Sequence, residues 1–79
     1  MVAEEYLEKI KAMSKDELQE ELEILEENLE DIQIERRLIL GQTGVHVNAS
    51  KIESYRNSFD REISIIEEKI NLVKEALKA

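Results

Sequence analysis

Apolar residues recur every seven positions on both sides of one glycine-bearing stretch, and this rhythm restricts the chain to helices that fold back on each other. Leu18, Leu25, Ile32 and Ile39 make one series; Leu22 and Leu29 make its companion, with Arg36 in the slot that would complete it. Past the glycines, Ile52, Phe59, Ile66 and Val73 make a third series, and Ile63, Ile70 and Leu77 a fourth, with Arg56 in its open slot. Alternating steps of 3 and 4 line up on one face of an α-helix, whereas a strand needs a period of two. In heptad terms the first and third series take d and their companions take a. Proline is absent, and the two glycines, Gly41 and Gly44, fall in the single interval between the series.

The expected fold is therefore all-α. It is an antiparallel, coiled-coil-like two-helix hairpin with a short N-terminal helix, completing a helical bundle by dimerisation. One domain spans 1–79, with helices at 2–12, 15–40 and 51–78 and a loop at 41–49. In the first helix Tyr6, Ile10 and Met13 recur at steps of 4 and 3, beside Leu7. Ser14 with Glu17 has the spacing of a capping box, so a new helix is expected from Lys15, although a continuous helix through Ser14 is also open. Gly41 is expected to close the second helix in the left-handed conformation. Ser50 with Glu53 repeats the capping-box spacing, with Asn48 as a rival cap. Val45, His46 and Val47 could form a short extended piece. An antiparallel register brings Ile39 to Ile52, Ile32 to Phe59, Leu25 to Ile66 and Leu18 to Val73. Arg36 and Arg56 then share a layer. Each arm is about 40 Å long at 1.5 Å per residue.

A chain of 79 residues has little interior, and a bare hairpin leaves half of each seam wet. Ile24, Ile34, Leu38, Ile65 and Leu72 lie off the a/d seam. They are expected to form a second interface, for the first helix or for self-association, most simply a homodimer with a four-helix core. A monomeric three-helix bundle is the competing arrangement.

Charge is unevenly distributed. The net charge is −8, and most of the acids precede Arg36, among them Glu20, Glu21, Glu23, Glu26, Glu27, Glu30 and Asp31. Most of these occupy solvated heptad positions, and they also offer a face to a basic partner. Such a chain is not expected to bind nucleic acid directly, because phosphates repel it. Around the loop, Arg36, Arg37, Arg56, Tyr55, His46 and Lys51 make a basic tip. Two guanidinium groups in one layer need a negative partner, and Glu35, Glu53, Asp60 or a second copy could supply it. Arginine also binds phosphates bidentately, so Arg36, Arg37, Arg56, Tyr55 and His46 form a candidate anion or ligand patch.

Catalytic chemistry finds no support. Cysteine is absent, which removes thiol catalysis and thiolate metal sites. His46 is the single histidine, and weak evidence for a metal. Ser54, Ser58 and Ser64 lack an adjacent histidine–acid pair. Gly41-Gln42-Thr43-Gly44 lacks the lysine of a phosphate loop. No cofactor is expected. No apolar run is long enough for a membrane span and no export signal is seen, so a cytoplasmic location is expected.

Two families of short helical hairpins carry partial likenesses. Residues 14–41 resemble the hairpin anti-sigma factors that bind a cyclic dinucleotide. Glu30 and Arg37 match their motif, while Ile34, Gly41 and Val45 replace its Ser, Gln and Asp. Residues 52–63 are similar in spacing to the short aspartyl-phosphate phosphatases of the sporulation phosphorelay, with Phe59 and Asp60 agreeing. Neither family is assigned. The function expected is a non-enzymatic helical interaction or regulatory module that self-associates and binds a protein partner. The alternative is a regulator that captures a phosphorylated or anionic small ligand at the arginine cluster.

Overall fold

The computed structural model describes residues 4–41 and 49–79. These form three α-helices: α1 over Glu4–Lys11, α2 over Lys15–Leu40 and α3 over Ala49–Lys78. There is no strand among the described residues. His46 and the Val45–Val47 segment lie outside them, as do residues 2 and 3 of the expected first helix, the rival cap Asn48 and the rest of the expected loop from residue 42.

Local chemistry sets the break between α1 and α2. The last N–H groups of α1 tighten onto carbonyls three residues back, Ala12 to Lys9 and Met13 to Ile10, both at 3.2 Å. Ser14 then turns extended, with φ −71° and ψ 168°, and caps α2. The Glu17 N–H donates to Ser14 Oγ at 3.2 Å, and the Ser14 N–H donates to Glu17 Oε1 at 3.0 Å. Two otherwise orphaned backbone donors are thus satisfied by two side chains. The bond from the Ser14 backbone N–H, and after it one from the Ser14 side chain, hold the Glu17 carboxyl below its ordinary range.

Two helix ends differ from expectation. Gly41 is right-handed, with φ −78° and ψ −13°, and its N–H still bonds to the Arg37 carbonyl at 2.9 Å. Glycine is required there by crowding: a Cβ would lie 2.7 Å from the Arg37 carbonyl oxygen. The third helix begins at Ala49, so Ser50 lies inside its first turn and does not cap it. Alanine is the best helix former and a serine in the first turn costs little, so the helix extends back past the expected start.

α2 and α3 pack along their length. Near the end of α2, Arg36 reaches Asp60 of α3, and near its start Leu18 shares a buried cluster with Val73 of α3. That cluster contains Ile10, Leu18, Leu22, Leu25, Ile70 and Val73, and Val73 is fully buried. All six lie at the end of the molecule where α1 adds a third wall. Away from α1 the seam residues Ile32, Ile39, Ile52, Phe59 and Ile63 are half-buried. Two helices alone cannot close a core around them. The molecule is long, 51 × 21 × 14 Å, with a radius of gyration of 15.8 Å. A compact domain of this length has about 12 Å.

Candidate functional site

The two flanks of the α2–α3 seam differ in chemistry. One is built from e and b positions. There Glu26, Glu30, Gln33, Glu67, Asn71 and Lys74 border a groove of about 370 Å³ floored by Leu29 and Ile70. Its walls are polar and charged, and longer side chains cover the apolar floor, as befits a solvated face.

The other flank is built from g and c positions, and α1 lies on it. Tyr6 stands between the two long helices. Its hydroxyl donates to Glu21 Oε2 of α2 at 2.6 Å, and the Lys69 ammonium of α3 sits 4.9 Å from its ring centroid. Burial raises the Tyr6 phenol well above its ordinary value, and the bond and charge of Glu21 push it further the same way. Below α1 is an apolar cleft of about 410 Å³ lined by Leu7, Ile10, Met13, Leu18, Leu72 and Ala76. Leu72, expected at a second interface for the first helix or for self-association, is half-buried beside α1. The Tyr6 bridge joins residues distant in sequence, and no local spacing announces it.

α1 covers only one end of this flank. The same c and g positions continue as Ile24 and Leu38 on α2 and as Tyr55 and Ile65 on α3. Ile24 is 49% exposed, Leu38 63% and Tyr55 45%. Ile65 is half-buried. Ile34, at an f position pointing directly outward, is 42% exposed.

At the basic tip Arg36 is committed. Its Nε donates to Asp60 Oδ1 at 3.0 Å. Both side chains are substantially wet, so the pair contributes little to stability. Arg37 and Arg56 are exposed and make no ion pair among the described residues. The structure therefore brings Arg36 to an acid and does not gather the three arginines onto one acceptor.

Among the described residues no group of histidine and acidic side chains could hold a metal ion, and no helix is long and apolar enough to cross a membrane. No buried polar side-chain atom there lacks a partner. The Tyr6–Glu21 pair is a hydrogen bond to a phenol whose ionisation is opposed, which is the reverse of what a nucleophile or base requires. Comparison with known proteins finds no matching family, no matching curated protein and no matching solved structure.

Proposed function

We propose that this chain is a non-enzymatic helical interaction module: an antiparallel hairpin, braced at one end by α1, that self-associates and binds a protein partner. The surface area carries this reading. The chain exposes 6160 Å². A compact monomer of 9.2 kDa exposes about 4,900 Å². The surplus is about 1,200 Å², more than the roughly 800 Å² each partner gives to a standard interface. Ile24, Ile34 and Leu38 lie within that surplus as large exposed aliphatics, with Ile65 beside them.

The hairpin reading draws support from the paired ends, with Arg36 at Asp60 and Leu18 at Val73. A non-catalytic role fits side chains that cap, pack or solvate, with no two groups among the described residues poised as acid and base. The anionic-ligand reading is weaker, because Arg36 already holds Asp60 and Arg37 and Arg56 share no acceptor among the described residues. Sedimentation equilibrium at micromolar concentrations tests self-association. A mass of two chains or more supports it, and a single-chain mass throughout excludes it.

A further inference from the structure

We infer that a second copy of this chain docks on the flank that α1 occupies, over its uncovered half, where Ile24 and Leu38 of α2 face Tyr55 and Ile65 of α3. The inference rests on the self-association reading and names its surface.

Three observations select this surface and this occupant. First, the seat is continuous with an interface already in use. α1 lies against Leu72 and Ala76, which are c and g positions of α3, and is bonded to Glu21, a g position of α2. Ile24, Leu38, Tyr55 and Ile65 repeat those heptad positions along the rod, interspersed with Asn28, Asp31, Glu35, Ser58 and Glu62, so the flank that accepts one helix continues as a mixed surface carrying four large apolar side chains. Second, the opposite flank is polar along its groove, with three glutamates, a lysine, a glutamine and an asparagine over the seam. A helical layer placed there would desolvate those groups for little apolar gain. Third, the surface surplus of about 1,200 Å² exceeds the roughly 800 Å² that each partner gives to a standard interface, and an isologous contact uses the same flank twice.

Charge favours one orientation. A two-fold axis running along the rod lays α2 of one copy over α3 of the other. Asp31 and Glu35 on α2 then face the stretch of α3 from Arg56 to Glu62, where Arg56 and Arg61 balance Asp60 and Glu62 and which is less acidic than α2. The alternative, α2 over α2, sets acids against acids. α1 stands proud of the flank at the other end, so contact falls on the half that carries Leu38 and Tyr55. The result is a four-helix layer pair over the part of the seam that is half-buried in the single chain.

The test combines mass with cross-linking. Leu38→Glu with Tyr55→Glu should raise the dimer dissociation constant at least about 100-fold, as expected for two central contacts. Gln33→Glu with Asn71→Asp, on the polar flank, should leave it unchanged. The chain has no cysteine, so single thiols report position cleanly. Leu38→Cys mixed with Tyr55→Cys should oxidise to a species of twice the chain mass, and Gln33→Cys mixed with Asn71→Cys should not. A dimer that tolerates the first pair of glutamates and cross-links through the polar flank overturns the surface while leaving self-association intact. A parent chain that stays single at all concentrations overturns both. If the glutamate pair loses helicity, the cross-linking pattern decides.

Discussion

Tyr6 and Glu21 are joined across two helices by a 2.6 Å hydrogen bond, and the same phenol ring carries the Lys69 ammonium on its face. One side chain therefore ties α1 to both long helices. An eight-residue helix has no stability of its own in water, so α1 exists because it is docked.

Removing the hydroxyl tests this attachment. Tyr6→Phe keeps the ring over Lys69 and loses the bond to Glu21, at a cost of about 1 kcal/mol. Tyr6→Ala loses both. Amide hydrogen exchange over residues 4–11 should quicken modestly in the first variant and approach the unprotected rate in the second. Equal exchange in parent and both variants would mean that Leu7 and Ile10 alone hold α1.

The same bond sets a pH limit on docking. The phenol is raised above its ordinary value of 10.0. A group whose folded value is raised stabilises the docked state fully below its unfolded value, and that contribution is lost as pH climbs towards the folded value. Docking should be constant from neutral pH to about 9 and weaken above about 10. A spectrophotometric titration in a Tyr55→Phe background, where Tyr6 is the one phenol, should show late ionisation coinciding with the loss of α1 protection. Ionisation at the ordinary value without loss of protection would refute the coupling.

Ser14→Ala removes one half of the reciprocal cap and should lower the melting temperature by about 4–8 °C, a typical capping loss in a chain of this size. The Glu17 carboxyl is lowered, so its share of the cap is present above its ordinary value of 4.5 and lost as pH falls below that value. Ser14→Ala keeps the backbone N–H that binds Glu17, whereas a Glu17→Gln variant has no carboxyl to protonate there and should show a smaller drop in stability on acidification than the parent. Melting curves at neutral pH and near pH 3 make the comparison.

Arg36 interrupts an otherwise apolar seam, and its wet ion pair with Asp60 returns little. Arg36→Met together with Arg56→Met should raise the melting temperature, because apolar side chains at these positions extend the half-buried seam. Tripolyphosphate should leave the parent's melting temperature unmoved. A shift of several degrees with tripolyphosphate, abolished in the double variant, would instead establish an anion site at the tip.

The periodic parts of the fold were legible because they depend on neighbours in sequence. Steps of 3 and 4 picked out Leu18, Leu22 and Leu25, which are buried, and the Ser14–Glu17 spacing marked where α2 starts. The rest depends on space. Gly41 promised a left-handed turn, but crowding against the Arg37 carbonyl is what calls for glycine there. Leu72 read as part of a second interface, but nothing in its own helix shows which of the two occupants, α1 or another copy, lies beside it. Periodicity also gave the seam residues equal weight. Burial concentrates at Val73 and Ile70 while Phe59 and Ile63 stay half-open, because α1 packs on only one end of the α2–α3 pair.

The reciprocal Ser14–Glu17 cap lies wholly outside α1. It finishes α2 with atoms from residues 14–17, and none of its bonds reaches back to α1. If α1 swings off its seat, the cap on the second helix stays whole, as a hinged latch opens without damage to the door frame. What such a swing uncovers is a strip of Leu18, Leu72 and Ala76, ready-made in shape and greasiness for some other helix to take the vacated berth.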